Sequence, residues 1–137
     1  MALPTLGAVE SLTGGLFASK VVNNANVSHY FRGSLVLYDK DLKAKIGVNV
    51  DKGVINSQAA LDMAKQGQKW LGVDICVAFT GNAGPTSQEN RPVGEVYVAI
   101  NEKVWQLNLK GDRNQIRAQA VNFAFKKLSK TFNWPIS

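Results

Sequence analysis

The sequence predicts an α/β protein in which a mostly parallel sheet carries helices on both faces and includes one antiparallel strand. Three observations carry this. Strand-like and helix-like stretches alternate through the first half of the chain, the pattern of parallel strands joined by helical crossovers. The run Gly72-Val73-Asp74-Ile75-Cys76-Val77-Ala78-Phe79-Thr80 is nearly continuously apolar, as a central strand covered on both faces must be. Residues 95–109 hold two strand-like runs around a short turn, a hairpin that supplies the antiparallel member. With 137 residues, a single domain over 1–137 with one sizeable core is expected.

Taken in order, Thr5-Leu6-Gly7-Ala8-Val9 reads as a buried strand, followed by Glu10-Ser11-Leu12-Thr13-Gly14-Gly15 as a tight turn. A helix is expected over 12–22, broken by the polar turn Asn23-Asn24-Ala25-Asn26. Gly33 through Tyr38 makes a second strand. Asp39 suits the N-cap of a short helix over 40–46, stopped by Gly47. A further helix begins at Asn56 or Ser57, and its narrow stripe of Ala60, Met63, Ala64 and Gly67 suggests close packing on a sheet. After the central strand, Thr80-Gly81-Asn82-Ala83-Gly84-Pro85 is a glycine-rich loop that continues, polar and mobile, to Arg91. Residues 95–100 and 104–109 form the hairpin. Gly111-Asp112 caps a last helix with Ala118, Val121, Phe125, Leu128 and Phe132 as its apolar stripe.

Composition narrows the function classes. Hydrophobic residues are 45% and charged residues 19%, which suits a globular chain rather than a disordered one. No run approaches the ~20 apolar residues that span a bilayer, and Met1-Ala2-Leu3-Pro4 has no basic lead into an apolar stretch. Cys76 is the one cysteine, set inside an apolar run as a small core residue. A cytoplasmic protein is expected. The net charge of +6 is uneven: no acid follows Asp112, while Arg113, Arg117, Lys126, Lys127 and Lys130 do. Such a segment is either a solvated helix face or an attractor of anions. Aromatics are not interleaved with these cations, so nucleic acid is a weak option. The lone His29 has no partner at metal-ligand spacing.

In open parallel sheets, ligands sit at the carboxyl ends of the strands. Here those ends are Glu10-Ser11, Tyr38 and Thr80-Gly81, three polar or glycine-rich turns on one predicted edge. A hydroxyl at the start of a helix can be a nucleophile, help hold an anion, or cap the helix, and both Ser11 and Thr13 are placed for this. Lys43, about a turn into its helix, would have its pKa lowered by the helix-start dipole if it points inward, which suits a base; pointing outward it is a surface lysine.

Four ordered motifs carry a resemblance. Glu10-Ser11-x-Thr13-Gly14-Gly15 is similar to a Glu-Ser-Cys-Thr-Gly-Gly signature. Gly33 through Tyr38, with Lys43 five residues on, resembles a second motif. Thr80-Gly81-x-Ala83-Gly84-Pro85 followed by Pro92-Val93-Gly94 resembles a third, and Gly111-Asp112-Arg113 with Arg117 a fourth. Together they resemble the CinA C-terminal domain family over about Thr5 to Leu128. The resemblance implies a three-layer α/β/α sandwich with a mixed five-stranded sheet. It also implies hydrolysis of the carboxamide of nicotinamide mononucleotide, giving nicotinic acid mononucleotide and ammonia, with no metal or organic cofactor. On this chain the nucleophile falls on Ser11, the base on Lys43 and a supporting hydroxyl on Tyr38. Substrate contacts are expected from Thr13, Gly14, Gly15, Gly33, Thr80, Gly81, Ala83 and Gly84, with Arg113 or Arg117 for the phosphate.

The chain departs from the family pattern in places. A helix before the first strand is usual; its loss would bare one sheet face unless a partner subunit covers it, so a homo-oligomer is expected. Leu12 replaces a cysteine, Ala25-Asn26-Val27-Ser28 replaces Gly-Ser-Ser, and Thr86-Ser87-Gln88 stands where Gly-Gly is usual. The alternatives to an amidase are a diverged member that binds a nucleotide-like ligand or a protein without turnover, and a nucleic-acid binder using the basic last helix.

Overall fold

The computed structural model describes residues 3–131 and 133. The first half runs β1 (Leu6–Glu10), α1 (Leu16–Val21), a 3-10 turn (Val27–His29), β2 (Phe31–Val36), α2 (Lys40–Lys45) and α3 (Ser57–Leu71). The second runs β3 (Ile75–Gly81), β4 (Glu95–Ile100), β5 (Lys103–Asn108) and α4 (Arg113–Thr131). The strands form one sheet in the order β2-β1-β3-β4-β5. β1 is parallel to β2 and β3, while β4 is antiparallel to β3 and β5, so β4 is the one antiparallel strand of this sheet.

The helices start and stop where local chemistry requires. Asn56 caps α3 by accepting the Ala59 N–H at 2.8 Å, and Gly72, at φ 63°, turns the chain out of it. Asp112 and Gln115 open α4 with a reciprocal pair, each side chain accepting the other's backbone N–H at 2.8 Å. α1 begins at Leu16 rather than at 12 because Gly14 and Gly15 both sit at positive φ, 56° and 100°, and make the turn that precedes it.

Helices cover both sides of the sheet. On one side α1 and α4 bring Phe17 and Phe125 onto Phe79 and its neighbours, with ring centroids 5.3 Å (Phe17–Phe79) and 5.4 Å (Phe17–Phe125) apart. On the other, α3 presents Ala60, Met63 and Ala64 to Val9, Cys76 and Ala78. Gly67 makes that approach possible: a Cβ there would lie 2.4 Å from Val9 Cγ2 and 2.6 Å from Cys76 Sγ. Cys76 is buried in this layer, and burial pushes its thiol up to about 12.

Several expectations are corrected. β2 ends at Val36, so Tyr38 lies two residues beyond the strand instead of closing it. The buried stripe of α4 is Ile116, Ala120, Val121, Ala124, Phe125 and Leu128; Ala118 faces solvent, and Phe132 falls outside the described residues. The bared sheet face is not seen, because α1 and α4 cover it. Exposed apolar side chains are spread instead over several elements, with Val36 46% and Tyr38 55% exposed at and just past the end of β2, Val22 55% after α1 and Trp70 64% on α3. A cation of α4 also meets aromatics, one from another element and one from its own. Lys127 lies over Trp105 of β5 and Phe123, at 5.1 and 5.4 Å from the ring centroids. Finally, the 86–91 loop is built, not loose. Glu89 and Asn90, at φ 53° and 59°, close a tight turn with Arg91 N–H donating to Gln88 O at 2.7 Å. Among the described residues, no helix is long and apolar enough to cross a membrane.

Candidate active site

From β1 the chain moves outward to β2, then crosses back through α3 to β3 on the other side of β1. The carboxyl ends of β1 and β3 therefore flank the divergence of the connections, where open parallel sheets hold ligands. Ser11 follows β1 at this point, and Thr80 and Gly81 end β3. A bond from Ser11 N–H to Phe79 O, 3.1 Å, fixes the two ends together.

The helix cap considered for Ser11 and Thr13 belongs to Glu10. Its buried carboxylate accepts the N–H groups of Gly15, Phe17 and Ala18 at 3.2, 2.9 and 3.2 Å, and the Ser34 hydroxyl at 2.8 Å. The free donors at the start of α1 are thus satisfied by a charge from the preceding strand. The sequence held a signal for this: one acid, Glu10, ends an apolar strand shortly before the pair Gly14-Gly15. Ser11 is left out of the cap. It lines a cavity of about 50 Å³, together with Leu12, Tyr38, Lys43, Thr80 and Arg113.

Lys43 is the unusual member. It is 1% exposed, and its Nζ donates to the Tyr38 carbonyl oxygen at 3.1 Å. Burial lowers its pKa from 10.5 to about 8, with the carboxylates of Asp39 and Glu89 opposing that fall. The helix-start dipole is not the cause, because α2 has only six residues and Lys43 stands in its last turn. Tyr38 supports Lys43 through its backbone, not its hydroxyl; the phenol oxygen accepts instead from Arg113 Nη2 at 2.7 Å.

The two arginines hold protein rather than open space. Arg113 donates through Nη1 to the Gly84 carbonyl, tying the glycine-rich loop to Tyr38 while itself lining the cavity. Arg117 donates Nε to Leu12 O and Nη2 to Thr13 O, both at 2.8 Å, and braces the turn from behind. It does not line the cavity.

The remaining expected contacts divide. Thr80, Gly81 and Ala83 line the cavity, and Thr80 Oγ1 donates to Val54 O at 2.5 Å. Thr13, Gly14, Gly15 and Gly84 do not line it: the first three shape the turn, and Gly84 serves as the acceptor for Arg113. The Thr13 hydroxyl is buried with no hydrogen-bond partner among the described residues. Gly33 lies in the first half of β2, opposite Gly7, away from the carboxyl edge.

Four wall residues were not singled out from sequence. Leu12, read there as a packing change, lines the cavity, as do Val54, Ile55 and Gln88. Glu89 holds this wall by accepting the N–H groups of Val54 and Ile55 at 3.1 Å. Asn82 orders the glycine-rich loop, its Oδ1 accepting Gly84 N–H at 2.9 Å and its Nδ2 donating to Arg91 O at 3.3 Å. No local pattern announces contacts between residues so far apart in the chain. Among the described residues, no group of three or more His, Cys, Asp or Glu could hold a metal ion.

Fold and cavity together define an α/β sandwich protein with a serine, a buried lysine and a glycine-rich loop at the carboxyl edge of a mixed sheet. The chain belongs to the CinA C-terminal domain family, whose model matches residues 3–132. It is 38% identical over 136 residues to a Bacillus mycoides protein named for competence-damage inducibility, covering 92% of this chain and 33% of that protein. A Shouchella clausii protein of the same name is 37% identical over 131 residues. The chain thus spans about a third of the length of these relatives. Among solved structures, a CinA superfamily protein from Klebsiella pneumoniae superposes with a TM-score of 0.89 at 26% identity, covering 96% of this chain and 89% of that one. The competence/damage inducible protein CihA from Agrobacterium tumefaciens gives 0.86 at 29% identity, covering 96% and 86%.

Proposed function

We propose that this chain hydrolyses the carboxamide of nicotinamide mononucleotide, with Ser11 as nucleophile and Lys43 as its base. The observation that carries the reading is a fully buried lysine, its pKa drawn down to about 8, lining the same small cavity as a serine excluded from helix capping. Uncharged Lys43 takes the Ser11 proton as Oγ attacks the amide carbon. The tetrahedral intermediate collapses as Lys43 returns that proton to the amide nitrogen, so the C–N bond breaks and ammonia leaves. Water then attacks the acyl-serine ester, gives its proton to Lys43, and Ser11 Oγ departs and is reprotonated. The product is the carboxylate.

The oxyanion needs backbone donors that are not already committed. Gly14 N–H is spent on Ser11 O at 3.0 Å, and Ser11 N–H on Phe79 O. The N–H groups of Leu12 and Thr13 make no such bond among the described residues, and Leu12 borders the cavity. Leu12 N–H is the donor favoured here. Tyr38 and Arg113 position the base and the loop.

The test is ammonia release from nicotinamide mononucleotide by the wild-type chain and by Ser11→Ala. The wild type should release ammonia, and Ser11→Ala should lose about 10³-fold or more in kcat, as loss of a covalent nucleophile does. Release that persists unchanged in Ser11→Ala would remove the nucleophile assignment. One observation favours the second reading, a binding module without turnover. The 50 Å³ cavity holds about one or two waters, far below the ~300–1,000 Å³ of ligand pockets. Absence of any release between pH 6 and 10, with the mononucleotide still bound, would favour that reading.

A further inference from the structure

The cavity beside Ser11 has room for a carboxamide but not for a whole nucleotide. A second cavity of about 480 Å³, within the size range of a nucleotide site, is lined by chain neighbours of the residues that line the first. Val54 and Ile55 line the first cavity, while their neighbours Gly53 and Asn56 line the second. Gln88 lines the first and Arg91 the second, and these two residues pair across one tight turn.

The charged residues lining the larger cavity are Lys52 and Arg91, with no acid among them. Two carboxylates stand against this wall and are held by it: Glu89, packed against Gly53, accepts the Val54 and Ile55 N–H groups, and Asp62 accepts Asn49 N–H at 3.3 Å and Gln58 Nε2 at 2.9 Å. Arg91 is held at one corner by Glu95, 3.6 Å from Nη1. Glu95 is itself buried and accepts the Tyr97 hydroxyl at 2.5 Å, so the guanidinium is oriented by a fixed anchor while its other donors remain. Arg113 and Arg117, by contrast, spend their donors on Gly84, Tyr38, Leu12 and Thr13.

We infer that Lys52 and Arg91 form the anion subsite for this reaction, taking the phosphomonoester of the substrate while its carboxamide enters the cavity beside Ser11. The inference rests on the amidase reading for the identity of the ligand. It assigns selection of phosphorylated over unphosphorylated pyridine nucleosides to the larger cavity. The Gly53–Asn56 segment, pinned by Glu89 and by Thr80, lies between the two ends of the bound molecule.

The test uses the Ser11→Ala chain, titrated calorimetrically with nicotinamide mononucleotide and separately with nicotinamide riboside, which differs by the phosphate alone. The mononucleotide should bind roughly 10- to 100-fold more tightly, the strength of charge-assisted hydrogen bonds. Adding Lys52→Ala and Arg91→Ala together should abolish that preference, whereas Lys69→Ala, an exposed lysine on α3, should keep it. A preference that survives the double substitution, or no preference at the outset, overturns the subsite. Because this readout needs no turnover, the subsite can stand even where wild-type ammonia release fails, and the reverse outcome is equally distinguishable.

Discussion

Lys43 carries opposite consequences for stability and for chemistry. Its pKa is about 8 in the folded chain against an ordinary 10.5, so between those values the unfolded chain holds more protons. Stability from this group therefore rises with pH from about 8 to about 10.5, and below pH 8 burying the charge costs a constant ~3 kcal/mol. Tyr97 acts in the opposite sense above about pH 10. Its hydroxyl is pushed up to about 12 by burial and by its bond to Glu95, so the unfolded chain loses that proton first. Cys76, pushed up by burial from 9.0 to about 12, acts in the same sense as Tyr97 from about pH 9, so the clean window is pH 8 to 9. Lys43→Met fills the same space without charge and forfeits the bond to Tyr38 O, worth about 1 kcal/mol. It should gain about 2 kcal/mol at pH 7, with the gain shrinking toward pH 10, while ammonia release is lost. Urea unfolding at both pH values checks this; a variant weaker than wild type at both would refute the burial penalty. The wild-type rate should climb as pH rises through about 8, because only the uncharged amine accepts the Ser11 proton.

At the scale of elements, the turn that presents Ser11 depends on Glu10 more than on its glycines. α1 is only six residues long, too short to persist by propensity, and three of its leading N–H groups end on one carboxylate. Glu10→Ala should cost about 3 kcal/mol, since it leaves buried donors unpaired. Amide exchange should show the loss concentrated in Leu16–Val21. A shift below about 1 kcal/mol, or one spread evenly over the chain, would count against this cap. The loop 82–91 follows the same logic. Its sequence reads as a mobile polar stretch, yet Asn82 and Glu89 tie it to itself and to Val54 and Ile55.

At the scale of the molecule, the spacing between α3 and the sheet sets the rear wall on which the site rests. Gly67 is in mid-helix, where alanine is intrinsically better by about 1 kcal/mol. Here an added methyl would meet Val9 and Cys76 at under 3 Å, and overpacking of that kind costs about 1–3 kcal/mol. Gly67→Ala should therefore lower the urea midpoint, against the propensity trend. A more stable variant would show that the layers can separate freely.

Sequence by itself determined the central strand, because a strand buried on both sides has to be apolar, as 75–79 is. It also determined the sheet edge on which Ser11, Tyr38, Lys43 and Thr80 would meet, since parallel strands send their carboxyl ends to one side. The family motifs were legible for a related reason: a glycine at positive φ or a serine beside a turn is a local requirement. Tertiary structure alone decided how those residues are wired. It gave the helix cap to Glu10, turned Arg117 into a brace, and made the Tyr38 carbonyl rather than its phenol the partner of Lys43. It also brought Gln88, Glu89 and Arg91 against residues 52–56. These pairings join atoms distant in the chain, and a long side chain reaches several neighbours with almost equal ease. Which neighbour it takes is settled only when the layers pack and every buried donor must find an acceptor.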